Sequence, residues 1–300
     1  MSRRLLLAII VVLLITNIAT LLFWNKEEPM VLDEGETQID NREPVATIGE
    51  EEILYDNWMT ALRNGYGKSQ LKSMIDRTVV EKLAEEANIE ISDKVIEREI
   101  SLLKMTQGVM TQERTEKKED EWYDDILYRY QLESLLTDET SIPEEEIRTH
   151  YDTYQKQYDF QASMQISHIV VQNSETADKV KEELDNGASF DLLAQEYSTD
   201  EESRDSGGYL GYFVNTSQFV PRGYNEVVSE MDEHTYSEPF HAESGGVAIV
   251  YLHSKLPSIS FTYDEIKPYV ENELALDELD QSLTVSPLWD KVDIDWIYEE

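Results

Sequence analysis

The hydrophobic pattern changes period several times along this chain, and each change predicts an element. Leu5–Trp24 runs for 20 residues without a charge, behind Ser2-Arg3-Arg4. As a helix such a run spans about 30 Å, the thickness of a bilayer core. It is long, and no small-x-small cleavage site follows it, so it predicts an uncleaved transmembrane anchor rather than a signal peptide. Residues 26–44 are polar, with Pro29, Gly35 and Pro44, and predict a linker. Val45–Gly49 predicts a short strand. Asp56–Arg63 predicts a helix that Gly65-Tyr66-Gly67 is expected to break. Leu71, Met74, Ile75, Val79 and Leu83 then share one face of a second helix. Ser92 stands where it would cap a third, carrying Val95, Ile96, Ile100 and Leu103. Every residue from Thr111 to Glu121 is polar, which predicts a solvated loop or an exposed helix turn. Trp122–Leu136 returns to helical spacing through Ile126, Leu127, Tyr130 and Leu135.

Ser141-Ile142-Pro143-Glu144 has the S-x-x-E form of a capping box and predicts a helix from Glu144 to Tyr158. The period then shortens. Ile166-Ser167-His168-Ile169-Val170-Val171 reads as a buried strand carrying one titratable side chain. Ala177, Val180 and Leu184 mark a short helix closed by Asn186-Gly187, and Phe190, Leu193, Ala194 and Tyr197 mark another. Paired glycines at 207 and 208 precede Tyr209-Leu210-Gly211-Tyr212-Phe213, a tight bend feeding a second strand. Beyond Ser258, Ile266, Val270, Leu274 and Leu279 give an acidic helix to about Leu283. The last residues include Trp289, Ile294, Trp296 and Ile297, too apolar for a free tail, and are expected to dock on the rest.

Charge narrows the possibilities. The net charge is −38, which argues against nucleic acid because a phosphate backbone would be repelled. Arg3 and Arg4 are the only charges in the first 25 residues, so the amino terminus is expected in the cytoplasm and the acidic body outside. The chain has no cysteine, hence neither a disulfide framework nor a thiol for acylation. His234 and His241 lie near Asp232 and Glu233 but match no ligand-spacing motif, so no metal site is expected.

Five motifs fall in order: Ser167-His168-Ile169, Gly187-Ala188-Ser189-Phe190, Leu193-Ala194, Tyr197-Ser198-Thr199-Asp200, and Gly207 through Phe213. This stretch resembles the parvulin family of peptidyl-prolyl isomerases, and the likeness continues through Tyr236-Ser237-Glu238-Pro239 and Ser244-Gly245-Gly246, covering roughly 163–256. Val45–Gly49, Tyr66-Gly67-Lys68 and Ile91-Ser92-Asp93-Lys94-Val95 are similar to segments of extracytoplasmic foldases of the PrsA and SurA type. The anchored, cysteine-free layout is close to the YacD branch of parvulin-like proteins. The resemblance implies an α+β chain: a transmembrane anchor at 1–25, a linker at 26–44, and a mostly helical chaperone-like lobe at 45–142. A connecting helix at 143–162 then leads to a parvulin-like domain at 163–256, a small antiparallel sheet surrounded by helices. A carboxy-terminal arm at 257–300 is expected to pack back on the lobe.

The implied chemistry is rotation about X-Pro bonds, whose barrier near 20 kcal/mol comes from amide resonance. Rotation breaks no covalent bond, so neither a nucleophile, a metal nor a cofactor is required. By resemblance His168 and Asp200 form the catalytic polar pair, Asp200 shaping the field at the twisting carbonyl and His168 supporting a hydrogen-bond network. Leu210, Phe219 and Tyr224 match the cup for the proline ring, with Phe213 in its wall and Ser244 beside it. Three positions depart from the family. Val247 stands where parvulins have a second histidine, Ala242 where they have a threonine, and Tyr209 where they have an acid. The implied partners are unfolded or newly secreted polypeptides containing X-Pro bonds and, through residues 5–24, a membrane; a homodimer is compatible with the sequence. The alternative weighed is a non-catalytic holdase or scaffold that keeps the fold for peptide binding alone.

Overall fold

The computed structural model of the chain describes residues 30–32, 37–214, 220–242, 245–279 and 283–298. The expected anchor at 5–24 lies outside the described residues. Among the described residues no helix is long and apolar enough to cross a membrane. The chain divides into two compact units, one running up to Ile75 and rejoined by the residues from Asp295, the other Asp76–Ile294. The lobe expected at 45–142 therefore belongs partly to each.

The first unit begins with two antiparallel hairpins. β1 (Met30–Leu32) pairs with β2 (Thr37–Ile39) inside the segment expected to be a plain linker. β3 (Pro44–Ile48) turns at Gly49, whose φ is +64°, into β4 (Glu51–Leu54), a strand not foreseen. One continuous helix, Tyr55–Glu86, replaces the two expected on either side of Gly65 and Gly67. Each glycine costs a helix about 1 kcal/mol relative to alanine, too little to break 32 residues that otherwise favour it. Gly67 also has a use: a Cβ there would sit 3.1 Å from the Tyr298 hydroxyl. Trp296 stays in the same unit, with the Lys68 ammonium over its ring, whereas Ile297 is 81% exposed and does not dock.

The second unit holds two layers of structure. Helices Asp93–Met105, Gln112–Thr137 and Glu144–Tyr158 pack with the late helix Tyr263–Leu279 through Ile96, Tyr130, Ile147, Tyr151, Ile266 and Val270. The polar residues from 112 to 121 form the exposed first turns of the second of these helices, capped by Thr111, whose side chain accepts from the Arg114 amide. Ser141 does not cap the next one. Pro143 occupies the cap position, and Glu144 turns away to accept from Tyr263 and pair with Lys267. A local capping bond lost to tertiary partners that hold both charge and hydroxyl.

The sheet runs in the order β6-β5-β9-β7, all antiparallel, with the short β8 (Phe240–His241) also on β9. β5 (Ser163–Val171) and β9 (Val247–Leu256) are its centre, joined along their whole length from Ser163–Leu256 to Val171–Val247. β6 (Tyr209–Val214) and β7 (Thr235–Tyr236) flank them. Alternation along β5 and β9 creates two apolar faces. Ile169, Val171, Val247 and Ile249 meet the helices Ser174–Asp185 and Phe190–Tyr197. Met164, Ile166, Ala248, Val250 and Leu252 meet the short helix Tyr224–Ser229 and Leu210, Phe213 and Phe240.

Candidate functional site

His168 sits in the middle of β5, opposite Val250, where alternation points it to the second of these faces. It is 6% exposed. Two backbone contacts hold that residue in place. Its amide donates to the Gly208 carbonyl at 2.8 Å. Gly208 in turn has φ +77°, and a Cβ on it would lie 2.1 Å from the His168 carbonyl oxygen, so only glycine permits the approach. This is the physical content of the paired-glycine motif.

The loop after Tyr197 is stitched to the same strand. The Val170 amide donates to the Ser198 hydroxyl, and both the amide and the hydroxyl of Thr199 donate to the Val170 carbonyl, at 2.7 and 3.0 Å. Those bonds place Asp200 beside His168, with Nε2 of the imidazole 2.8 Å from Asp200 Oδ2. Ser203 completes the turn: its hydroxyl donates to Asp200 Oδ2 and lies 3.1 Å from His168 Nε2. The signal for Ser203 was present in the sequence as a serine three residues after an aspartate, a spacing at which side chain and backbone commonly cap one another.

The electrostatics settle the charges. Burial lowers the His168 pKa, and the hydrogen bond and charge of Asp200 only partly oppose it, so the ring is neutral near pH 7. Burial works against the Asp200 carboxylate as well, but the Ser203 hydroxyl and His168 outweigh it and hold this carboxyl below its ordinary range. The contact is therefore a hydrogen bond between a neutral imidazole and a carboxylate. The Asp200 side chain keeps 27% of its surface exposed.

Leu210 and Phe213 are three residues apart on a strand, and strict alternation would send them to opposite faces. A register shift between Ile166 and Ser167, with Gly211 at φ +93°, inserts one extra residue in β6 and brings both onto the His168 face. Tyr224, expected on the ring cup, lies in the same cluster as Leu210 and Phe213 but is buried. It is 0% exposed, its ring packs against Phe240 at 5.2 Å, and its hydroxyl lies 2.9 Å from His168 Nδ1. It opens the helix after Gly223 and faces the core. Phe219 and Ser244 lie outside the described residues. Val247 packs with Val171 against the helices, on the face away from His168. Neither remaining histidine of this sheet replaces it: His253 Nε2 is taken by Ser167 at 2.7 Å, and His241 is exposed on β8. Among the described residues no group of three or more histidine or acidic side chains is placed to hold a metal ion.

Comparison with known proteins places this geometry. The family described as the PPIC-type PPIASE domain matches residues 142–268. YacD of Bacillus subtilis is 36% identical over 259 residues, 86% of this chain and 86% of that protein. Foldase protein PrsA 2 of Bacillus cereus is 26% identical over 251 residues, 82% of this chain and 79% of its own. Foldase protein PrsA of Oceanobacillus iheyensis is 28% identical over 239 residues, 77% and 75% respectively. The chain belongs to the parvulin, or PPIC-type, peptidyl-prolyl cis-trans isomerases, in their PrsA-like foldase group.

Proposed function

We propose that this chain is a membrane-anchored extracytoplasmic foldase that binds unfolded secreted polypeptides and isomerises their X-Pro bonds at the His168–Asp200 site. The observation that carries the reading is a buried, neutral histidine holding an ionised, half-open carboxylate beside two apolar side chains, Leu210 and Phe213.

The chemistry follows from what twisting does to an amide. In the planar form, resonance gives the carbonyl oxygen extra negative charge; at the twisted geometry that charge returns to nitrogen. A carboxylate near the oxygen destabilises the planar state more than the twisted one and so lowers the barrier between them. Asp200 supplies the charge, while Ser203 and His168 fix its direction. Leu210 and Phe213 supply apolar contact for the proline ring. No proton need leave any group, which is why an imidazole held neutral is suited to a supporting role.

The lobe, anchor and boundaries set out from the sequence complete the reading. Side chains in the first unit favour a client-holding surface: Ile48 is 66% and Tyr66 69% exposed, with Met59 and Met74 also in solvent. The deciding experiment is an X-Pro isomerisation assay on the full chain, with Asp200→Ala as control. Weak acceleration, lost in the variant, is expected. Binding of X-Pro peptides without acceleration would leave the holdase reading instead. For the anchor, protease added to intact cells should reach the acidic body while the full-length chain stays with the membranes; a protected body would reverse the topology.

A further inference from the structure

We propose that Tyr224 is a positioning residue: its buried hydroxyl donates to Nδ1 of His168 and holds the imidazole in the Nε2–H tautomer that serves Asp200. The inference rests on the isomerase reading for its functional meaning, but its geometry can be tested separately.

Counting protons leads to it. Ser203 has one hydroxyl proton, and that proton goes to Asp200 Oδ2 at 2.5 Å. Asp200 is ionised and can only accept. His168 Nε2 therefore faces two oxygens, at 2.8 and 3.1 Å, neither of which has a proton to give it. A nitrogen lone pair aimed at a carboxylate oxygen would be repelled, so Nε2 carries the hydrogen. A neutral ring then presents its lone pair at Nδ1, inside the core, where an unmet acceptor is costly. The Tyr224 hydroxyl stands 2.9 Å from it. That hydroxyl remains protonated, because burial and the nearby Asp200 charge both push its pKa up.

The tyrosine is well fixed for this task. Its ring is enclosed by Phe240 and by the cluster containing Ile166, Val220 and Val250, and it meets the His168 ring edge-on at 5.8 Å. Val247 lies on the opposite face of the sheet and offers the imidazole nothing. Among the described residues the tyrosine hydroxyl is the group that meets Nδ1. A phenol reaching from the helix Tyr224–Ser229 thus closes the histidine's hydrogen bonds from a different element of the fold.

The test uses the full chain labelled with 15N-histidine, together with Tyr224→Phe. In the wild type the His168 resonances should report Nε2–H with Nδ1 as a hydrogen-bonded acceptor. In Tyr224→Phe the Nδ1 signature should change and kcat should fall about tenfold, the equivalent of one hydrogen bond to a buried group, with KM little altered and the melting midpoint lowered because Nδ1 is left unmet in the core. An Nδ1–H tautomer in the wild type would overturn the proposal, and so would a variant with wild-type imidazole signals and kcat. If Tyr224→Phe did not fold, the wild-type spectrum would still decide. A wild-type chain with the Nε2–H tautomer but no isomerase activity would overturn the isomerase reading while supporting the hydrogen-bond assignment.

Discussion

The two faces of one sheet have opposite occupations. On the side covered by the helices Ser174–Asp185 and Phe190–Tyr197, Ile169, Val171, Val247 and Ile249 pack into a buried apolar cluster. One residue along the same strand, His168 points the other way into a network of Asp200, Ser203 and Tyr224. The first face is stabilised by area removed from water and tolerates no loss of volume. The second contains hydrogen bonds whose net worth to stability is small but whose geometry sets the field at the surface. Neighbouring residues on β5 should therefore respond to substitution in different measurements.

The largest effect is expected on the helix side. Ile169→Ala opens a cavity in a fully buried cluster and should cost about 2–5 kcal/mol in denaturant unfolding, while activity per folded molecule stays near wild type. On the other face, Asp200→Ala should slow X-Pro isomerisation about a hundredfold, the usual scale for removing one preorganised electrostatic group. Its unfolding midpoint should move far less than that of Ile169→Ala. Equal stability losses in the two variants would erase the distinction.

A third test concerns acid. His253, bonded to Ser167 and near Tyr209 and Tyr251, has its pKa lowered from 6.5 to about 4 by burial and then by the charge of His234. The unfolded chain thus binds a proton that the folded chain refuses between those two values. Stability is fully present above pH 6.5 and should decline by about 3 kcal/mol as pH falls to 4. His168, lowered in the same direction, adds to the decline. His253→Gln, which can still bond Ser167, should flatten that part of the curve; an unchanged slope would remove His253 from the account. The smallest effect belongs to Leu192, 65% exposed beside the buried Leu193. Leu192→Ser should change stability by less than about 0.5 kcal/mol.

Much of this arrangement was legible in the residues. Hydrophobic period located β5, both helices behind it and the paired-glycine bend, because each is local and close to ideal. The pairing of His168 with Asp200 came from motif order rather than period. What escaped depended on tertiary partners. Gly65 and Gly67 looked like a break because a helix's tolerance for glycine depends on what flanks it. Ser141 looked like a cap because Lys267 and Tyr263, which claim Glu144, are over a hundred residues away. The Tyr224 contact with His168 was not legible, because an aromatic residue in sequence does not reveal which way its hydroxyl turns. The bulge that brings Leu210 beside Phe213 has no simple sequence signature beyond Gly211 itself.

The long ladder between β5 and β9 also governs when the site can exist during synthesis. Ser163 pairs with Leu256 and Val171 with Val247, so the central pair closes a loop of about 80 residues, an ordering cost that local contacts do not repay in advance. A growing chain that has passed Asp200 but not Val247 has both polar residues and no central sheet to hold them. The enzyme that hastens steps in the folding of other chains depends on a non-local pairing of its own, and a product ending before β9 should lack activity.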